Sequence, residues 1–306
     1  DRTIHRLWIV DADTGEATPV TPEEFHVSSA SWSPGGDELA IITADASGSN
    51  ETYFNSRLEL LDISDHGITL VTENARGNPS WSNDGKRIAF IYRQRSEGMT
   101  LPAGVVAVIN ADGSGLKLLG ERHEGTLVNP VWMPEDDKLL VIHLKGVRGE
   151  LATVSVGDSK VEKIEELEIP YYLRKSFDIS RDGSRIAFMK GSAKSPPEVW
   201  LWESGILKGS DQLTRVHRWL EDKELPEAKV VRWKSRDGTE IEGVLWLPRG
   251  FKKDGTFPAV VNVHGGPMWA WWYGWHGNWH DWAIPLASRG FVVLLPNPRG
   301  SMGYGP

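Results

Sequence analysis

A chain of 306 residues that is 40 % apolar and 25 % charged has room for two folded domains and is too apolar for a disordered one. It has no cysteine, which excludes disulfides, thiolate metal sites and a cysteine nucleophile, and its longest apolar runs, such as 291–295, fall far short of the roughly 20 residues of a spanning helix. The net charge of −8 is uneven: residues 1–226 carry 25 Lys and Arg against 36 Asp and Glu, which disfavours a nucleic-acid-binding surface. The opening residues lack the features of a signal peptide, but the chain does not begin with Met. The compartment therefore stays open, with the cytoplasm as the expectation and the periplasm or exterior as alternatives.

Self-similarity organises the first 220 residues. WSPGGDELAI starts at Trp32, WSNDGKRIAF at Trp81, WMPEDDKLLV at Trp132 and ISRDGSRIAF at Ile179, in steps of 49, 51 and 47 residues. A second strand-like motif keeps pace from Leu7, Leu58, Val105, Leu151 and Val199. Each unit holds an aromatic or apolar anchor, a turn of Ser, Asp, Gly, Asn or Pro, and a short apolar strand, with almost no helical periodicity. Several short strands in just under 50 residues describe a propeller blade, so residues 1–220 are expected to form a partial all-β propeller of four to five four-stranded blades. DADTGE at 11–16 and NADGSG at 110–115 look like oxygen-rich loops, but both fall where a hairpin turn is due and lack the closing Glu of a calcium loop.

The period stops at WLEDKELPEAK, and residues 221–229 are expected to be a linker. Two β-rich runs follow, joined at Arg236-Asp237-Gly238. FPAVVNVH from Phe257 and FVVLLPN from Phe291 are apolar on both faces, as strands buried in a mostly parallel sheet are. Between them Trp279, Trp282, Ala283, Leu286 and Ala287 lie at helical spacing, with Pro285 awkward inside the helix. An antiparallel start followed by a βαβ unit suits the beginning of an α/β-hydrolase domain over residues 230–306.

The motif with chemistry is VNVHGGPMW, residues 261–269, in which a strand runs into His-Gly-Gly-Pro. In α/β-hydrolases such a loop offers backbone N–H groups to the oxyanion of a tetrahedral intermediate, and paired glycines let the main chain approach the carbonyl. No serine lies in a Gly-x-Ser-x-Gly elbow; Ser301 has Arg299 where the first Gly belongs. His276 and His280 are spaced as metal ligands beside Asp281, but no supporting Glu is present. The surrounding Trp269, Trp271, Trp272, Trp275, Trp279 and Trp282 favour packing over metal, with the option of an apolar wall for substrate side chains.

The repeats resemble those of the translocation protein TolB and of the prolyl oligopeptidase family, kept best at residues 81–90 and departing at Met133, Asp136 and Asp137. The succession WKSRDGTEIEGVLWLP, FPAVVNVHGGP and ASRGFVVLLPNPRGSMGYG is similar to the start of that family's catalytic domain, and within it to the acylaminoacyl peptidase branch. The resemblance implies a serine peptidase acting on oligopeptides by acyl transfer, with the propeller restricting access and no cofactor, metal or membrane partner. The oxyanion position falls on His264, with Gly265 as backbone donor and Gly266 allowing the turn. Arg299 is expected to anchor the NPRGSMGYG loop, and Trp269 to serve as a substrate contact or loop anchor.

Family propellers have seven or eight blades, so about two or three are expected upstream. Ser, Asp and His of the triad are absent from this chain and expected beyond Pro306, which makes the chain inactive by itself. Relatives with dipeptidyl peptidase activity carry Tyr at the His264 position and a paired-Glu motif. Only Glu23-Glu24 offers a weak match, so a strict dipeptidyl peptidase is disfavoured. An esterase or amidase of the same fold, or a TolB-like propeller interaction module, remains as a rival. Oligomeric state stays open.

Overall fold

The computed structural model describes all residues except 1–2, 49–51, 53, 94, 97–98, 101–103, 121–123, 169–175, 206–208, 267–268, 278–280 and 306. A hairpin of Trp8–Val10 and Ala17–Pro19 is followed by four four-stranded sheets, each with its strands in chain order. The first sheet holds His26–Trp32, Glu38–Ala44, Arg57–Asp62 and Ile68–Glu73. The second holds Ala75–Trp81, Arg87–Tyr92, Val105–Asn110 and Lys117–Leu119, with a small hairpin, Arg95–Ser96 with Met99–Thr100, between its middle strands. The third holds Thr126–Trp132, Lys138–Lys145, Arg148–Ser155 and Val161–Leu167, and the fourth Phe177–Ile179, Arg185–Ser192, Ser195–Glu203 and Asp211–Gln212. These are the expected units of four strands, and the opening hairpin is a two-stranded sheet.

By contacts the chain divides into two compact units. The first comprises residues 1–121, 127–141 and 153–161, and the second 122–126, 142–152 and 162–306. In the first unit, successive sheets bury one another's faces. Ile41 and Leu61 pack with Val20 and the opening hairpin, while Ala40, Ile42, Leu58 and Leu60 pack with Trp81, Ile88 and Phe90 of the second sheet. The strand Glu38–Ala44 is therefore buried on both faces. The tryptophan anchors staple neighbouring repeats: the Trp81 indole N–H donates to the Ser31 carbonyl (3.1 Å) and that of Trp132 to the Ser80 carbonyl (2.9 Å). The acceptor in each case is the residue just before the previous anchor.

The repeated turns close identically, with Gly36, Gly85 and Gly183 at positive φ and their N–H groups bonded to Ser33, Ser82 and Ser180. Asp136 takes the same place in the departing repeat, at φ 57°. Its carboxylate accepts from the backbone N–H groups of Asn83 (2.8 Å) and Asp84 (2.9 Å), the equivalent turn one repeat back. The departure thus exchanges glycine's freedom for an inter-repeat anchor. Asp136→Ala should lower stability by roughly 1–2 kcal/mol, because it removes the anion and keeps the left-handed backbone. Asp136→Gly should cost about 1 kcal/mol less. Equal midpoints for the two variants in urea would show that the backbone there carries no strain.

In the two oxygen-rich turns, Asp11 accepts from Thr14 and Asp13, and Asp112 from Ser114, so each carboxylate serves its own turn and is held below its ordinary range. Glu23, of the Glu23-Glu24 pair, is exposed and lies 3.4 Å from Arg6.

The second unit ends in a mixed sheet. Its strands are β1 (Glu227–Lys234), β2 (Glu240–Leu247), β3 (Ala259–Val261) and β4 (Val292–Asn297), in the order β1-β2-β4-β3. β4 runs antiparallel to β2 and parallel to β3. The first strand begins inside the expected linker. Trp246, Val244, Val293 and Leu295, all fully buried, pack with Ala283, Ile284 and Ala287 of the helix α1 (Ala283–Ala287). Pro285 lies in the first turn of this helix, where an N–H has no intrahelical partner to lose. The expected start at Trp279 lies outside the described residues.

One expectation fails. The strand from Phe257 is not buried on both faces: only three residues pair, at the sheet edge, and Val261 and Val263 are 61 % and 70 % exposed. Among the described residues β4 is the one strand paired with it, which leaves it at the edge of the sheet.

Candidate functional site

The candidate loop leaves the end of β3. The Asn262 N–H donates to the Leu294 carbonyl (2.9 Å), extending the parallel pairing by one residue before the chain turns away from the sheet. Gly265 and Gly266 then lie exposed, with open space around the place a Gly265 side chain would take. Gly266 has φ 120°, a conformation only glycine adopts readily. The following Pro267 lies outside the described residues.

His264 is half-buried, and both ring nitrogens are engaged. Nε2 lies 2.9 Å from the Ser301 hydroxyl and Nδ1 3.0 Å from the Gly265 carbonyl. The Ser301 hydroxyl donates to the Pro298 carbonyl (2.6 Å) and turns its oxygen toward the ring. With both ring nitrogens facing groups of the loops themselves, the side chain braces the glycine loop. Ser301 and His264 have the spacing of a nucleophile and base, but their surroundings differ from a catalytic pair. Ser301 is 5 % exposed, its hydroxyl also lies 2.6 Å from the Pro298 carbonyl, and the far nitrogen of His264 faces a carbonyl where a triad has a carboxylate.

The loop after β4 is tied down at three places. Arg299 pairs with Asp237 and Thr239 in the β1–β2 turn. Bonds from Ser235, Thr239 and Arg299 hold the Asp237 carboxyl well below its usual range. Ser301 grips His264, and the Met302 N–H meets the Trp269 carbonyl (3.4 Å). Trp269 is half-buried, its ring 6.0 Å from that of Trp272, so it stands between the two loops.

Asn297, 2 % exposed at the end of β4, was not singled out by sequence and is central to the geometry. Its side-chain oxygen accepts from the Trp271 N–H (2.7 Å), and its amide donates to the Trp271 carbonyl (2.9 Å) and the Tyr304 hydroxyl (3.1 Å). The Trp271 indole in turn donates to the carbonyl of Asn262, two residues before His264 (2.9 Å). Tyr304 donates onward to Glu242 (3.1 Å), a buried carboxylate on β2 that also takes Arg232 (2.7 and 3.0 Å) and the Val147 N–H (2.9 Å). Burial, and after it the Glu242 charge, pushes the Tyr304 hydroxyl up from its ordinary value. A signal for this network was available in the acidic residue set inside EIEGVLWL.

The tryptophan-rich segment is in part core, with Trp269 and Trp275 half-buried, Trp282 59 % exposed and Trp279 outside the described residues. Trp271 and Trp272 are 7 % and 5 % exposed, and Trp271 packs with Trp246 and Val293, because the sheet needs large apolar groups to cover its face. His276 is buried against Trp246 and Trp271, donating from Nε2 to the Trp272 carbonyl (2.6 Å), with Asp281 3.5 Å from Nδ1. Its proposed metal partner His280 lies outside the described residues. Among the described residues no group of three His, Asp or Glu is placed to hold a metal ion.

No family model matches the chain. It is 36 % identical to dipeptidyl-peptidase 5 of Arthroderma otae over 78 % of its own length and 32 % of that protein. With dipeptidyl-peptidase 5 of Porphyromonas gingivalis the identity is 24 % over 90 % of the chain and 40 % of the relative. The chain thus spans about a third to two-fifths of the length of these two relatives. Its fold is that of Pyrococcus horikoshii acylaminoacyl peptidase (TM-score 0.68, 20 % identity, covering 97 % of this chain and 44 % of that one). TolB from Acinetobacter baumannii is similar over 78 % of this chain and 56 % of its own (TM-score 0.51, 18 % identity). The relatives bear the dipeptidyl peptidase name that the missing paired-Glu motif had disfavoured. With dipeptidyl-peptidase 5 proteins as its relatives and the fold of an acylaminoacyl peptidase, the chain is consistent with a peptidase of the prolyl oligopeptidase family.

Proposed function

We propose that the full-length protein is a serine-type peptidase that hydrolyses oligopeptides by acyl transfer, with residues 230–306 forming the start of its α/β-hydrolase domain. In this reading the sheets of residues 1–220 are propeller blades that restrict access. The Gly265 N–H binds the developing oxyanion, Gly266 provides the turn that aims it, and His264 braces the loop. The nucleophile, its base and their acid belong to chain outside these 306 residues. The observation that carries the reading is the exposed Gly265-Gly266 backbone at the end of a strand parallel to β4, held from behind by Ser301. A fixed N–H at a developing charge lowers a barrier by about 3–4 kcal/mol.

The test is a fluorophosphonate probe with matched peptide and ester substrates. The full-length protein should be labelled at a single serine outside this chain and should cleave the peptides, while the 306 residues alone remain unlabelled. Labelling at Ser301 would place the chemistry elsewhere. Ester cleavage without peptide cleavage would make the protein an esterase, and absence of labelling would favour a propeller interaction module.

A further inference from the structure

Away from the candidate loop, the second unit contains a cleft of about 660 Å³ beside the outer strand of the fourth sheet. Glu198, 5 % exposed, lies at its base. Its carboxylate accepts from the Thr214 hydroxyl (2.5 Å) and from both the N–H and Nδ1 of His217 (3.0 Å each). Burial opposes the charge, but the bonds from Thr214, Val216 and His217 outweigh it and hold the carboxyl at about 2, ionised at neutral pH. Thr214 is further fixed by the Val199 N–H (2.9 Å), and Gln212 donates to the Thr214 carbonyl (2.7 Å). The segment LTRVHRW, 213–219, is therefore fastened from inside by one buried anion.

What this segment presents outward is cationic and apolar. Arg215 and Arg218 line the cleft with Lys194 and Lys223, all four exposed, and among the described residues none has an ion-pair partner. Arg249 is paired with Glu224, which leaves Glu221 as the one free carboxylate in the lining. Leu220 and Leu225 line the same cleft, and Leu213, Val216 and Trp219 are 57 %, 70 % and 63 % exposed on the segment. With five Lys and Arg against three Glu in its lining, the cleft is net positive on a chain of charge −8, a local reversal of sign that focuses anions. Apolar groups within and beside it are of no use to a free phosphate.

We infer that this cleft binds an acidic peptide segment carrying at least one large apolar side chain, with Arg215, Arg218, Lys194 and Lys223 meeting its carboxylates. Glu198 is a positioning residue that fixes the segment bearing the two arginines. The site is separate from the oxyanion loop, and its test does not depend on the peptidase reading.

The experiment uses the full-length protein pre-treated with a fluorophosphonate, so that hydrolysis cannot consume the probe. Fluorescence anisotropy compares a fluorescein-labelled octapeptide of Glu, Asp and Leu with its Gln, Asn and Leu counterpart. The acidic peptide should bind at least about tenfold more tightly, with the difference shrinking as salt rises. The double variant Arg215→Ser/Arg218→Ser, altered only at exposed positions, should abolish that difference without moving the melting temperature. Equal binding of the two peptides, or an unchanged double variant, would overturn the inference. Displacement by inorganic phosphate beyond the effect of sodium chloride at equal ionic strength would assign the cleft to a small oxyanion and overturn it as well.

Discussion

Replacing Gly266 by Ala in the full-length protein should lower kcat for peptide hydrolysis about 100- to 1000-fold with little change in KM. The reason is local. At φ 120° an alanine is strained, so the loop relaxes toward another backbone angle and carries the Gly265 N–H with it. An oxyanion donor is useful only at the transition state, so its displacement appears in kcat more than in substrate binding. Because Gly265 and Gly266 are exposed, the melting temperature should hardly move. Steady-state kinetics with a parallel melt separate the outcomes, and unchanged kcat would remove the loop from the chemistry.

Asn297→Ala should produce the largest loss of stability near the site. It strips the partner from two buried main-chain groups of Trp271 and one of two partners from the Tyr304 hydroxyl. Leaving a buried polar group unpaired costs about 1–3 kcal/mol, so the two Trp271 groups together put the loss at roughly 3 kcal/mol. In a domain of this size that is a fall of about 6–12 °C in melting temperature. Asn297→Asp is a sharper probe. It keeps an acceptor for the Trp271 N–H but sets an oxygen against the Trp271 carbonyl, which only a protonated carboxyl can satisfy. Burial raises the pKa of such a carboxyl, so the deficit relative to the wild type should be full at neutral pH and shrink as pH falls through that raised value. A deficit independent of pH would mean that the Trp271 contact is not what Asn297 contributes.

The repeats were legible because each four-stranded unit depends on short-range chemistry that recurs. The turn needs left-handed backbone, which Gly36, Gly85 and Gly183 mark in sequence. Asp136 looked like wear on the pattern, because one residue cannot show that its carboxylate reaches a turn about 50 positions earlier. The candidate loop was legible for a similar reason, since the glycine pair follows its strand directly.

Where burial depends on distant chain, sequence was a poorer guide. The apolar run from Phe257 has the same composition whether it lies inside a sheet or at its edge, and only the position of β4 decides. Tryptophan density likewise gave no sign that Trp271 faces Trp246 and Val293. The support behind the loop joins Glu242 to Tyr304 across 62 residues, a pairing without a local motif.

In the proposed mechanism the Gly265 N–H receives the oxyanion of a serine adduct. A crystal structure of the full-length protein bound covalently to a peptide trifluoromethyl ketone tests it directly. The adduct oxygen should lie about 2.7–3.1 Å from the Gly265 nitrogen, with His264 still in contact with Ser301. An adduct whose oxygen is held by other donors, with Gly265 and Gly266 facing solvent, would contradict it.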